Sequence, residues 1–159
     1  MAEVASPTYR AEVGPEWVDY NGHLNEAYYL LIFSRATDAL LDAVGMDDAY
    51  RRRERVSVFT LETHLRYLRE VKGGEAVEVE VRVLGLDAKR AHLFCAMRRA
   101  GEAELAATAE MLWLHVDTVT RRGAPFRAEV LTRLEELRAR EAGRPRPEGA
   151  GRSVGLGQG

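Results

Sequence analysis

The chain has 159 residues, 46% hydrophobic and 30% charged, with a formal net charge of -2 at pH 7. That is one domain's worth of chain with enough apolar residue to bury a core, and so small a net charge gives nucleic acid no electrostatic foothold. The only cysteine, Cys95, cannot close an intrachain disulfide, so folding does not require an oxidising compartment.

Residues 1–8 lack a basic stretch followed by an apolar run, which leaves a flexible N-terminus and, by default, a cytoplasmic location. Residues 9–13 read as a short strand stopped by Gly14 and Pro15. The polar run 19–25 then enters a long apolar segment. Asn25 is placed to cap a helix, and Gly45 to end it in the left-handed conformation. Between them Ala27, Tyr28, Tyr29, Leu30, Leu31, Ile32 and Phe33 leave almost no polar face, while Ser34, Asp38 and Asp42 form a narrow stripe. Such a helix needs other structure around it. Arg35, Asp38 and Asp42 make a membrane span costly.

After Gly45 the chain is polar to residue 55 and ends in Arg51, Arg52, Arg53, Glu54 and Arg55. Such a charge run is usually a solvated face, and binding the phosphates of an anionic ligand is the sharper alternative. From residue 56 the period changes to two. Phe59, Leu61, Thr63, Leu65 and Tyr67 alternate with Thr60, Glu62, His64 and Arg66, the pattern of a half-buried strand. Lys72, Gly73 and Gly74 read as a turn into Val77, Val79, Val81 and Val83, whose alternation with Glu78, Glu80 and Arg82 predicts a strand with its polar face to water.

Two further strands follow, over residues 90–99 and 104–117, with Ala91, Leu93, Cys95 and Met97 on one face of the first and Leu105, Ala107, Ala109, Met111 and Trp113 on one face of the second. Four consecutive strands joined by short turns predict an antiparallel meander. The small Ala107 and Ala109 leave room for the long helix, so the expected fold is α+β, a curled antiparallel sheet around one long helix. A second, amphipathic helix follows Pro125 and Phe126, with Val130, Leu134 and Leu137 at helical spacing. Residues 9–142 form the expected domain. Residues 143–159, rich in Gly, Pro and Arg, have too little to bury and are expected to be disordered.

The sequence lacks a Gly-rich phosphate loop, a nucleophile elbow and paired Cys or His at metal spacing. His23, His64, His92 and His115 are scattered one per element. Cys95 sits mid-strand on an apolar face, the place of a core residue rather than a nucleophile. What remains is Asp19, His23 and Asn25 within seven residues, just before a helix start whose free N-H groups can stabilise an oxyanion. A carboxylate there can activate water or attack a carbonyl. Spacing alone favours the simpler account, an Asx turn followed by a cap.

The run Trp17-Val18-Asp19-Tyr20-Asn21-Gly22-His23-Leu24-Asn25-Glu26-Ala27-Tyr28-Tyr29 resembles the motif that opens the central helix of hot-dog-fold acyl-CoA thioesterases of the 4-hydroxybenzoyl-CoA thioesterase type. Glu62-Thr63-His64-Leu65-Arg66, Asp87-Ala88-Lys89-Arg90-Ala91-His92-Leu93-Phe94 and Leu105-Ala106-Ala107-Thr108-Ala109-Glu110 extend the likeness, as does Leu114-His115-Val116-Asp117, and it is nearest to the betainyl-CoA thioesterases of carnitine breakdown. Several motifs in order are more specific than one.

The resemblance implies a hot-dog fold and hydrolysis of a small acyl-CoA, betainyl-CoA among the expected substrates, by a homodimer or homotetramer. Neither nucleic acid nor membrane is implied as a partner. Coenzyme A enters as part of the substrate and no other cofactor is implied. Asp19 is the expected catalytic carboxylate, with N-H groups near Glu26, Ala27 and Tyr28 polarising the carbonyl, and His23 and Asn25 orienting loop and substrate. Tyr20, Glu62 and Thr63 are expected substrate contacts, the last two from a strand that in this fold can approach the partner subunit's site, although Thr63 faces away from Glu62 and His64 on a regular strand.

The chain departs from the family pattern at Leu24, a volume-conserving change from Met, and at Tyr67, where a His is usual and the pocket is within reach. A quaternary ammonium would suit aromatic faces such as Trp17, Tyr20, Tyr28, Tyr29 and Tyr67. The alternatives are a hot-dog dehydratase using His23 and Glu62, and an acyl-CoA binding module without turnover.

Overall fold

The computed structural model describes residues 6–157. Residues 1–5, within the expected flexible N-terminus, and 158–159 lie outside the described residues. The helix α1 spans Glu26–Ala43. Asn25 caps it, its side-chain oxygen accepting from the Ala27 N-H at 3.0 Å, and Gly45 follows its end at φ 80°, where a side chain would strain the backbone. Tyr29, Ile32, Phe33, Ala36, Thr37, Leu40 and Leu41 are buried. Each large apolar side chain among them contributes about 1.5–3 kcal/mol through burial. The opposite stripe, including Leu30, Ser34 and Asp38, is exposed, so the sheet covers one side of the helix rather than enclosing it.

The sheet is built from β1 (Thr8–Glu12), β2 (Val56–Tyr67), β3 (Ala76–Leu86), β4 (Arg90–Arg99), β5 (Leu105–Asp117) and the short β6 (Arg122–Gly123). Its order is β1-β3-β4-β5-β2, with β6 beside β5 and every pairing antiparallel. The meander therefore holds for β3 to β5 and fails at β2, which pairs with β5 instead of β3. The reason lies in the connection. Val71 accepts from the Leu24 N-H at 2.7 Å and Gly74 donates to Val13 at 2.8 Å, so residues 71–74 are spent on the segments flanking β1 and α1 rather than on a tight hairpin.

The inner sheet face is the predicted one on β3 and β4: Val77, Val79, Val81 and Val83 lie against Ala91, Leu93, Cys95 and Met97, all buried. Burial pushes the Cys95 thiol up to about 12, consistent with a core residue. On β2 the regular alternation is broken by a bulge at Leu61, between Thr60 opposite Trp113 and Glu62 opposite Leu112. One inserted residue shifts the two-residue period. Phe59 therefore lies on the outer side with Leu114, and Thr60 on the inner side with Trp113, the reverse of the predicted faces.

Residues 46–55 contain a short helix, α2 (Asp48–Glu54), which strand and charge patterns did not indicate. Its arginines are largely engaged locally: Arg51 donates to the Met46 carbonyl at 2.8 Å, and Arg52 and Arg53 pair with Asp48 and Glu54. Those contacts match the solvated-face reading. The C-terminal helix α3 (Ala128–Ala139) buries Val130, Leu134 and Leu137 as predicted. Tyr50 on α2 donates to Glu129 on α3 at 3.1 Å.

Arg82 does not face water. It is 9% exposed and paired with Glu141 just beyond α3, Nε to Oε2 at 2.7 Å, and it also donates to the Pro145 carbonyl at 3.0 Å. Residues 143–157, marked by composition for disorder, run as turns and bends over that outer face. Arg144 reaches Glu80 at 2.9 Å and the Gly151 N-H reaches Glu110 at 2.8 Å.

His115 is 1% exposed, with Nδ1 2.7 Å from the Ala124 carbonyl. Since a carbonyl only accepts, that nitrogen carries the proton. Burial is the main cause holding the imidazole below its ordinary value of 6.5, and Arg127 adds to it. The unfolded chain then binds more protons than the folded one below that pH, so stability falls as pH drops through about 6.5 toward the folded-state value. Urea midpoints measured from pH 7.5 to 5 should fall more for the wild type than for His115→Asn, which has no ring to titrate. Parallel pH profiles would remove His115 as the source.

Candidate functional site

The segment between the Pro15–Trp17 turn and α1 forms a small closed loop. The Asp19 N-H donates to the His23 carbonyl at 2.9 Å, the Asn25 N-H to the Trp17 carbonyl at 2.9 Å, and Gly22 turns the chain at φ 77°. A bridge from His23 to Lys72 and the Leu24 to Val71 bond tie this loop to the segment after β2. Loop residues and strand-end residues thereby meet at the start of α1.

The Asx turn is real. Asp19 Oδ1 accepts from the Asn21 N-H at 2.8 Å and the His23 N-H at 3.3 Å. Its other oxygen, Oδ2, has no hydrogen-bond partner among the described residues. One carboxylate oxygen is fixed by backbone donors and the other is available, so the turn orients the acid rather than consuming it.

A cleft of about 710 Å³ opens here, with Asp19, Tyr20, His23, Asn25 and Glu26 among its lining residues. Tyr29 and Tyr67 form an aromatic wall, their rings in edge contact at 5.1 Å and 88°. Tyr67 donates to the Glu26 carbonyl at 3.3 Å. Burial raises both phenols above their ordinary value, so each stays neutral at physiological pH. The expected site residues His23 and Asn25 have structural occupations as well. His23 Nε2 lies 3.0 Å from Glu70, and Asn25 spends its oxygen on the helix cap.

At the helix start, the Ala27 and Tyr28 N-H groups already donate to Asn25. Neither residue lines the cleft; Tyr28 instead stacks on Trp17 at 5.9 Å. Within one chain Glu62 and Thr63 do not reach Asp19. They line a second cleft of about 510 Å³ with His64, His92 and Glu110, against residues 151–154. There His92 Nε2 lies 2.6 Å from Glu110 Oε1, and at the neighbouring turn Arg90 pairs with Asp87, so the His92 and Arg90 of the resemblance both have partners within the chain. No group of three or more metal-ligating side chains occurs among the described residues.

Glu70 and Arg69 line the first cleft and were not anticipated. Their link to the loop spans some fifty positions of chain and is made by backbone bonds at residues 71–73. No local periodicity carries such a signal.

The family model of the thioesterase-like superfamily matches residues 13–134. The chain is 49% identical over 156 residues to the betainyl-CoA thioesterase of Pseudomonas aeruginosa PAO1, a match covering 98% of each chain. Among solved structures it is similar to a candidate thioesterase from Pseudomonas putida KT2440, with TM-score 0.82 and 41% identity over 97% of this chain and 99% of that one. It is also similar to a Staphylococcus aureus protein solved in complex with CoA, with TM-score 0.90 and 26% identity over 99% of both.

Proposed function

The chain belongs to the thioesterase-like superfamily, and from that premise we propose that it hydrolyses betainyl-CoA or a similarly small acyl-CoA at the Asp19 cleft, releasing the free acid and coenzyme A. Hydrolysis of an acyl-CoA thioester rests on the family match and on the 49% identity to a betainyl-CoA thioesterase. The observation that supports the site is the Asp19 carboxylate, held by one oxygen and open at the other in a cleft at the start of α1.

The free oxygen attacks the thioester carbonyl or takes a proton from the attacking water. Partial positive charge at the helix start favours the developing oxyanion. Collapse of the tetrahedral species expels the coenzyme A thiolate, leaving the free acid when water attacks, or a mixed anhydride with Asp19 that water then hydrolyses when the carboxylate attacks. His23, tethered to Glu70, and the capping Asn25 hold the loop that presents Asp19. Coenzyme A belongs to the substrate, and hydrolysis by this route needs no further cofactor. Within one chain His23 and Glu62, the pair a dehydratase would use, line different clefts, and formation of an enoyl-CoA in place of free thiol would favour that reading.

Assays of free thiol release across a panel of short acyl-CoAs test the reading. Turnover of betainyl-CoA above the other members is expected, and no release from any member would overturn it.

The strand β2 supports a homodimer. It ends the sheet, so its outer edge is unpaired, and Phe59 and Leu61 are 49% and 51% exposed. A long, bare, apolar edge calls for a partner strand. A second copy pairing along β2 would bring the adjoining Tyr67 end of each cleft to the interface. Light scattering should report a dimer for the wild type and a shift toward monomer for Leu61→Lys. A wild-type monomer at micromolar concentration would exclude the assembly. No helix among the described residues is long and apolar enough to cross a membrane, and a cytoplasmic location accords with the substrate.

A further inference from the structure

The charge of the cleft is at odds with the charge of the substrate's largest part. Coenzyme A is polyanionic, yet three carboxylates, Asp19, Glu26 and Glu70, line the cleft. Arg69 is the only Lys or Arg among the lining residues, and it is bound to Glu104 at 2.6 Å. A neutral acyl group gains nothing from three carboxylates, and an anionic one is repelled. A cation is attracted.

The aromatic wall has the same preference. Tyr67 is 48% exposed, and its ring is fixed by two contacts, the edge packing with the buried Tyr29 and the hydroxyl bond to the Glu26 carbonyl. A neutral phenol ring held still beside carboxylates attracts an alkylated ammonium through its quadrupole. The carboxylates add charge without needing an N-H to bind. Tyr20, 97% exposed at the loop tip, also lines the cleft.

We propose that Tyr67, backed by Tyr29 and accompanied by Glu26 and Glu70, forms a subsite for a quaternary ammonium on the acyl group, and that this subsite sets substrate choice. The inference rests on the thioesterase reading of the same cleft. It adds which residues discriminate and by what chemistry: charge and ring face rather than shape.

The test separates charge from shape. Betainyl-CoA and 3,3-dimethylbutanoyl-CoA carry trimethylammonium and tert-butyl ends of nearly equal volume, so their kcat/KM ratio reads the subsite alone. The full chain is expected to favour the cationic substrate. Tyr67→Leu should lower that ratio roughly 2- to 30-fold, the range of a cation-π contact. Tyr67→Phe, which keeps the ring and loses the hydroxyl, should retain most of it. Glu70→Gln should lower it as well.

A ratio near one in the wild type, with both substrates hydrolysed, overturns the subsite and leaves the thioesterase reading intact. Hydrolysis of neither overturns that reading itself. An unchanged ratio in Tyr67→Leu removes Tyr67 from the subsite. A second measurement needs no variant: choline should inhibit wild-type hydrolysis competitively, and its neutral analogue 3,3-dimethylbutanol should not. Equal inhibition by the two would also count against a charge-reading site.

Discussion

Asp19→Asn is expected to lower kcat for thiol release by about 10² to 10⁴ or more, the lower range being the usual worth of a general base, with little change in stability. The substitution keeps the shape of the side chain and an acceptor oxygen, so the bonds now made by the Asn21 and His23 N-H groups to Oδ1 persist. Only the charge and the free carboxylate oxygen are lost. A fall in kcat with KM nearly unchanged marks an interaction used in the transition state. A matching fall in the thermal midpoint would instead mean that the loop had come apart. Asp19→Ala would remove turn and charge together and so cannot make this distinction. Unchanged turnover in Asp19→Asn would remove the carboxylate from the chemistry.

The second large effect concerns stability and is asymmetric. The Arg82 and Glu141 side chains are 10% and 14% exposed, and Arg82 depends on Glu141 for charge compensation while Glu141 has Arg144 as well. Glu141→Ala leaves Arg82 buried with only the Pro145 carbonyl, and should cost about 3–5 kcal/mol. Arg82→Met leaves Glu141 with Arg144, 3.2 Å away and 40% exposed, and should cost about 1–3 kcal/mol, nearer the value of a weakened charged hydrogen bond. At about 2–4 °C per kcal/mol for a chain of this size, the first should lower the midpoint by roughly 6–20 °C. Arg82→Met combined with Glu141→Leu should recover most of the loss, because a buried pair often exchanges for apolar packing at little net cost. Two equal and small losses would show that water reaches the pair.

The same pair marks where sequence pattern stops being sufficient. Alternation assigned Arg82 to the outer face, and it is there. Alternation says nothing about what comes to lie on that face, and here the chain following α3 does. Leu61 is a comparable case at the other edge. Strict alternation over residues 59–67 placed Phe59 and Leu61 with Thr63, and one bulged residue reversed the faces before it. A bulge is a relation between two strands, so it leaves no mark in the residues of one. The β2 pairing failed for a related reason: Lys72, Gly73 and Gly74 look like a hairpin turn, and their bonds go to the segments around Gly22 and Val13.

In the site, local chemistry was legible and convergence was not. Asp19 to Asn25 announce a turn and a cap through residue type alone, and both form. Glu62 and Thr63 were expected at the partner subunit's site, and within one chain they line a second cleft. Glu70 and Tyr67 enter the first cleft because β2 ends beside the loop, a fact of packing between distant segments.

By itself the sequence determined the inward faces of β3, β4 and most of β5, the limits and caps of α1, the second amphipathic helix and the turn that presents Asp19. These depend on side-chain type at fixed spacing, which is set by the geometry of one helix or one strand. Only the tertiary structure decided that β2 lies at the sheet edge, that Arg82 is buried, and that the cleft at Asp19 is lined by carboxylates and a tyrosine wall. Those features arise where segments far apart in sequence meet, and the energies that bring them together are shared between partners that no single stretch of chain contains.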